Sequence, residues 1–300
     1  MSDFHIPVLL QETLWYLNVQ KGKKYIDATL GGGGHSEEIL KLGGKVLGID
    51  VDEEALEFVE RRFKTNDLRF KIGQDLVLVR GNFKDILEIA RSKGFDQVDG
   101  IVFDLGVSSH QLDTPERGFS FQKEGPLDMR MDKTLEVSAI ELINILTKGE
   151  LHELFSKLGE ERFAFAVSHN IISARRVKRI ETTTELAEIV RASYPKGYVG
   201  IEPATRVFQA LRIIVNDELD NLKKALPQAL EVLEEGGRLV VISFHSLEDR
   251  IVKGAFNDFA GEEKGTVLTK KPITTSEEEV KVNNRSRSAK LRAFEKTQYL

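Results

Sequence analysis

The chain has 300 residues, 41% of them hydrophobic and 30% charged, with a net charge of −5 and no cysteine. That length suits two domains or one large domain with an insertion, and the composition supports a buried core. Disulfide frames and thiolate metal sites are excluded, no metal site is expected, and the negative balance excludes a uniformly basic nucleic-acid coat.

Residues 4–18 place Val8, Leu9, Thr13, Leu14 and Leu17 near helical spacing behind Pro7, which predicts a short helix. His5 in front of it either reaches a ligand or is simply solvated. The N-terminus has no basic-then-apolar signal pattern, and no run approaches the ~18 apolar residues of a membrane span, so a cytoplasmic location is expected. Tyr25–Leu30 reads as a buried parallel strand, Gly31–Gly34 as a turn where backbone can press on a ligand, and His35-Ser36 as a helix start. The second strand, Lys45–Asp50, ends in an acid. Asp50 follows Gly31 by 19 positions. A carboxylate gripping a ribose diol is expected about 20 residues along. The pattern is that of a nucleoside half-site.

Asp52–Lys64 has Ala55, Leu56, Val59 and Phe63 on one face, an amphipathic helix. Leu76–Val79 is a third strand. It delivers Phe83 near the mouth of the crevice, where an aromatic either packs on a purine or pins the next helix. Asp99–Gly106 is a fourth strand, ending in Asp104. Strand–helix alternation through four strands argues for a doubly wound parallel sheet, whose ligands sit at the strands' carboxyl ends. Asp27, the glycine loop, Asp50, Phe83 and Asp104 all fall there. The alternation stops between Val107 and Pro126, a long polar loop of the kind that carries function. The charged Asp128–Asp132 run that follows has no chemistry assignable from pattern.

Residues 135–200 read as all-helical, with Thr182 and Glu185 forming a capping box at the fourth helix. Arg162, His169, Arg175, Arg176, Lys178 and Arg179 gather basic groups in this block, a solvated face by default but suited to a polyanion. One long helix is expected over 206–233, then a fifth parallel strand over 236–244. His245 at its end is equally suited to acid–base work and to anchoring the loop. Segments 266–271 and 288–295 supply a closing antiparallel pair, and the polar stretch 277–287 between them reads as a mobile loop. Lys281, Arg285, Arg287, Lys290 and Arg292 make a second basic cluster. The expected organisation is a discontinuous domain of residues 1–134 and 201–300 carrying a helical insertion at 135–200.

Gly31, Gly33 and Ser36 nearly fit a dinucleotide fingerprint, so a nicotinamide dehydrogenase stays open. No second mononucleotide half is visible, however, and the antiparallel tail extends the sheet. An S-adenosylmethionine site needs no diphosphate cradle and hence no strict third glycine, which favours a methyltransferase.

Several blocks are longer and more specific. His5–Leu10, Gly32-Gly33-Gly34-His35-Ser36, Asp104-Leu105-Gly106-Val107-Ser108-Ser109, Arg117–Phe121, Pro126–Asp132, Phe208–Arg212 and Ile242–Arg250 resemble the bacterial small-subunit rRNA cytosine-N4 methyltransferases, the RsmH or MraW family. The resemblance covers nearly the whole chain in order. It implies a class I S-adenosylmethionine-dependent methyltransferase fold, an α/β Rossmann-like sheet with an antiparallel C-terminal strand and a helical insertion that recognises rRNA. It implies methylation of the exocyclic N4 of one cytidine in the decoding region of 16S rRNA, with S-adenosylhomocysteine as product; another RNA or a small molecule is the alternative acceptor. The family's cofactor contacts carry over to Gly33, Gly34, His35, Asp50, Phe83, Asp104 and Gln111. The Asn/Asp-Pro-Pro-aromatic motif of many amino methyltransferases is missing, and Asp104-Leu105-Gly106 stands in its place. Asp104 is therefore the expected catalytic residue, with His245 and Asp128 as candidates without a role and Phe119 or Phe121 as the ring that holds the base. Free 16S rRNA or the small ribosomal subunit is the expected partner, membranes are not, and a homodimer is left open.

Overall fold

A computed structural model describes residues 7–65 and 70–297. His5 and Ile6 lie outside this range, as does the start of the helix expected from residue 4. The chain divides into two compact units, residues 1–106 with 219–300, and residues 107–218.

The first unit begins with helix α1 (Leu10–Leu17), strand β1 (Lys24–Asp27), α2 (Gly34–Lys41), β2 (Lys45–Asp50), α3 (Glu53–Thr65), β3 (Leu76–Arg80), α4 (Ile86–Ser92) and β4 (Val98–Asp104). β1, β2 and β4 stop at Asp27, Asp50 and Asp104, and β3 ends at Arg80, shortly before Phe83. The core follows the two-residue period of a pleated sheet. Ile26, Leu47, Ile49, Ile101, Phe103, Leu239 and Val241 join one buried cluster, while Tyr25, Val46, Val102, Val240 and Ile242 join another. Both faces of the sheet are therefore covered, as a parallel sheet requires. Phe103 is fully buried, and truncating such a ring to alanine costs about 3–5 kcal/mol.

The second unit holds α5 (Ser109–Asp113), a 3-10 turn at Pro115–Arg117, α6 (Ala139–Ile145), α7 (Lys148–Leu158), α8 (Ala164–Val177), α9 (Thr183–Arg191) and α10 (Ala204–Val215). Capping boxes at Ser138/Glu141, Thr147/Glu150 and Thr182/Glu185 open α6, α7 and α9. The unit is wider than the 135–200 block that helical periodicity marks out. Phe119, Leu127 and Met129 of the preceding segment and Val207, Phe208 and Leu211 of α10 share its buried core, and aperiodic segments give no signal of such packing.

The chain then returns to the first unit through α11 (Glu218–Val232), β5 (Leu233–Ser243), α12 (Ser246–Gly261), β6 (Gly265–Val267), β7 (Ile273–Thr274), α13 (Glu277–Val282) and β8 (Lys290–Lys296). The strand order is β3-β2-β1-β4-β5-β8-β6, with β7 also on β8. β1 to β5 pair in parallel, and β8 runs antiparallel to β5. This is the class I methyltransferase sheet, with its switch point between β1 and β4.

Two expectations change. The single helix over 206–233 is two, because Asn216 and Asp217 interrupt it and Asp217 is left-handed at φ 51°. The Asn216 side chain donates to Met129 O at 2.8 Å and accepts from Met131 N at 2.8 Å, so its amide serves the Asp128–Asp132 segment instead of a continuing helix. The stretch read as a mobile loop at 277–287 contains α13, capped by Ser276, and a 3-10 turn at Asn284–Ser288. Glu279 there accepts a hydrogen bond from Leu9 N at 2.8 Å.

Candidate active site

The carboxyl ends of β1, β2 and β4 bring three acids to one edge of the sheet in the first unit. Asp27 is 1% exposed, and its carboxylate accepts from Ser36 Oγ at 2.7 Å and Thr29 N at 3.4 Å. Burial holds its pKa above the ordinary carboxylate value. Asp50 accepts from Gly31 N at 2.8 Å and Asp52 N at 2.9 Å. Burial nevertheless pushes it up to about 6. The turn and the acid thus lock each other, and each Asp50 oxygen keeps a further lone pair for a ligand hydroxyl.

The glycine turn is shaped by close approach. Gly33 has φ +74°, and a Cβ there would meet Val59 Cγ2 at 3.0 Å; one on Gly34 would meet Pro7 Cδ at 3.0 Å. Gly33 N donates to Leu30 O at 2.8 Å, and no side chain caps the start of α2, where the helix dipole favours an anionic or electron-rich ligand group. Arg62 of α3 donates to Gly32 O at 2.8 Å and pairs with Glu37, pinning the turn from behind.

His35 sits at the start of α2, 4% exposed. Its Nε2 lies 3.5 Å from Asp104 Oδ2. Among the described residues its Nδ1 has no hydrogen-bond partner. Burial alone would lower the imidazole pKa, but Asp104 and Asp27 outweigh it and leave it above the ordinary value. Asp104 N donates to Thr29 Oγ1 at 2.6 Å, which fixes the end of β4. A buried polar nitrogen with unspent capacity beside a carboxylate, at a helix start that no side chain caps, is a ligand-binding arrangement.

Phe83 opens a 3-10 turn after β3 and meets Phe103 edge-on, with centroids 5.6 Å apart. Gly33, Gly34, His35, Asp50, Phe83 and Asp104 thus all belong to the carboxyl edge of the first unit's sheet. Gln111 belongs to the second unit. It is buried there, and its Oε1 accepts from Ser108 N at 3.0 Å as part of the α5 capping box.

The other candidates have structural work. His245 caps α12, its Nδ1 accepting from Glu248 N at 3.4 Å and its Nε2 lying 3.2 Å from Glu248 Oε1. Asp128 accepts from Arg130 Nε at 2.7 Å and Nη2 at 2.8 Å. Burial would raise that carboxyl, but the Arg130 contacts leave it below its ordinary value. Phe119 is 6% exposed in the core of the second unit, so its ring cannot hold a base; Phe121 is only partly buried, against Phe208 at 5.0 Å. Arg292 is a buried partner of Asp249 at 2.6 Å and leaves the second basic cluster. The sequence gives no role in the site to the Thr29 hydroxyl, the Ser36 hydroxyl or Arg62. The first two flank the glycine turn and were legible as its hydroxyl neighbours, whereas Arg62 reads as one more solvated helix cation.

Comparisons with known proteins place the whole chain beside rRNA methyltransferases. The chain is 47% identical over 316 residues to a ribosomal RNA small subunit methyltransferase H of Carboxydothermus hydrogenoformans, covering 100% of both chains. It is 48% identical over 294 residues to the protein of that name from Persephonella marina, covering 96% of this chain and 97% of that one. Among solved structures, an rRNA methylase from Streptococcus thermophilus aligns over 98% of this chain and 99% of its own, at 14% identity and a TM-score of 0.46. A similarity that low carries no weight beside the strand order itself. The model of the MraW methylase family matches residues 2–297, and the chain belongs to that family.

Proposed function

We propose that the chain transfers a methyl group from S-adenosylmethionine to the exocyclic N4 of a specific cytidine in the decoding region of 16S rRNA, in the cytoplasm. The observation that carries this reading is the end-to-end similarity to enzymes named for the small-subunit rRNA, on a chain whose strand-end acids and glycine turn suit a nucleoside. No helix among the described residues is long and apolar enough to cross a membrane.

The residues fit the cofactor. Asp50, already oriented by Gly31 N and Asp52 N, accepts the two ribose hydroxyls. Phe83 offers a ring to adenine, the side-chain-free Gly33–Gly34 turn lets the methionyl part approach closely, and His35 Nδ1 is a buried atom waiting for a polar partner. Gln111 is the family's remaining contact. When bound, S-adenosylmethionine supplies an electrophilic methyl on a sulfonium. The lone pair of a cytosine N4 is delocalised into the ring and is a poor nucleophile until it turns out of plane. Asp104, its backbone fixed by Thr29, orients the amine, and placing the reactants in line supplies the largest part of the acceleration. The target base leaves its stack to enter the site, with Phe121 as its aromatic support. A Phe121→Ala enzyme with unchanged rRNA kinetics removes that support.

The helical block 135–200, with exposed Lys281, Arg285 and Arg287 near the C-terminus, contacts rRNA phosphates. Binding should weaken steeply as salt is raised. Incubation with labelled S-adenosylmethionine and under-methylated small subunits or free rRNA, followed by nuclease digestion and mass spectrometry, tests the whole reading. Label on a cytidine N4 supports it, and label on another atom or none on RNA overturns it. Sedimentation of the purified chain decides whether the working form is a homodimer.

A further inference from the structure

The solvent face of α8 is unusual for a solvated helix. Its inner side buries Ala164, Val167, Ser168 and Ile171. On the outer side, Phe165, His169, Ser173 and Arg176 are all exposed, preceded by exposed Arg162. These positions recur at the spacing of one helix face and run for about three turns. Phe165 is 65% exposed. Lys148 Nζ of α7 stands 3.8 Å from its ring centroid, and His152 of α7 meets it edge-on at 6.3 Å. Neighbouring cations are engaged, Lys157 of α7 with Glu153, Lys178 at the end of α8 with Glu185, and Arg175 of α8 with Ile143 O at 2.6 Å. Among the described residues Lys148, Arg162 and Arg176 have no such partner.

We propose that Phe165, flanked by Lys148, Arg162 and Arg176, is a stacking platform for an unpaired nucleotide of the RNA substrate. Resting on the rRNA reading above, it specifies the form of RNA that this face takes. An exposed ring backed by a cation suits the π-face of a base, and unpaired arginines along the same face suit the phosphates on either side. Bases inside an A-form duplex have no free face, so the platform selects single strands. Charge complementarity favours a polyanion over an apolar protein, since the patch is positive on a chain of net charge −5, and an exposed phenyl ring set among the cations favours RNA, whose bases stack on it, over an acidic protein.

The test uses the full-length chain, titrated by fluorescence anisotropy with a short unstructured RNA and with a hairpin duplex of equal length. Phe165→Ala should weaken the single strand by roughly ten- to hundredfold, the range for one stacked base, with little change for the duplex. Its salt slope should stay unchanged, while Arg162→Gln/Arg176→Gln should flatten that slope. Phe165→Trp should retain binding and Phe165→Leu should lose it; thermal melts identify any variant that has lost its fold, and the tryptophan and double-glutamine variants then carry the decision. Equal loss for single strand and duplex, full binding by Phe165→Leu, or unchanged binding by Phe165→Ala overturns the platform while the rRNA reading stands. A wild-type chain that neither binds nor methylates RNA overturns both.

Discussion

Two helix N-termini in the first unit each present a histidine, and they have been put to opposite uses. At α12, His245 turns its Nδ1 onto the first turn of its own helix, and Glu248 answers by accepting from Phe244 N at 2.8 Å. At α2, no side chain caps the helix; its N-cap is Gly33, and His35 faces Asp104 with Nδ1 unengaged. One terminus spends its imidazole Nδ1 on an amide of its own first turn, Glu248 N, and the other leaves its cap to a glycine and its imidazole Nδ1 unspent. A histidine after a strand is therefore informative only once its hydrogen bonds are counted.

Four changes probe this contrast. The largest effect is expected at Asp104. Replacing it by asparagine or alanine should lower turnover on the order of a hundredfold or more, well beyond any loss of cofactor affinity. Single-turnover kinetics beside calorimetric binding of S-adenosylhomocysteine separates the two, and a change confined to affinity removes Asp104 from the chemistry.

Next is the pH response of Asp50, whose carboxyl sits at about 6 in place of 3.8. In that window the folded apo chain binds more protons than the unfolded one, so its stability should fall as pH rises from 3.8 towards about 6. Affinity for S-adenosylhomocysteine should climb over the same window, because a diol donates best to the ionised acid. Opposite slopes in wild type, both flattened in Asp50→Asn, are the expected signature; parallel slopes would remove Asp50 from the diol.

A smaller cost is expected from Gly33→Ala. The left-handed φ of +74° and the 3.0 Å approach to Val59 Cγ2 should destabilise the chain by about 1–2 kcal/mol in chemical denaturation. The smallest belongs to His245→Ala, about 1 kcal/mol for a lost cap. His245→Ser should recover most of it, which a ligand-binding histidine would not allow.

The strand ends were legible because they depend on short-range pattern: apolar runs, the glycine turn and the spacing to Asp50 determine where the sheet's carboxyl edge must be. What stayed hidden depends on partners distant in the chain. Nothing around Asn216 announces that its amide serves Met129 and Met131, so the helix reads as continuous. Arg292 looks like any surface cation until Asp249 is placed beside it. Phe119 and Phe121 are indistinguishable in sequence, and only packing buries the first. The role of Arg62 behind Gly32 likewise needs the fold of α3 against the turn.

The sheet's central ladder also has a consequence for biosynthesis. β4 pairs with β5, Gly100 opposite Arg238 and Asp104 opposite Ile242, yet the entire 107–218 unit is translated between them. On the ribosome the nascent chain holds β1 to β4 with one lateral edge of the growing sheet exposed until β5 emerges. Parallel pairing over such a separation is slow, and an open edge invites aggregation. A helical unit with its own core can mature during that delay, so the order of synthesis should set the order of folding, with the lateral edge beside β4 closed last by β5.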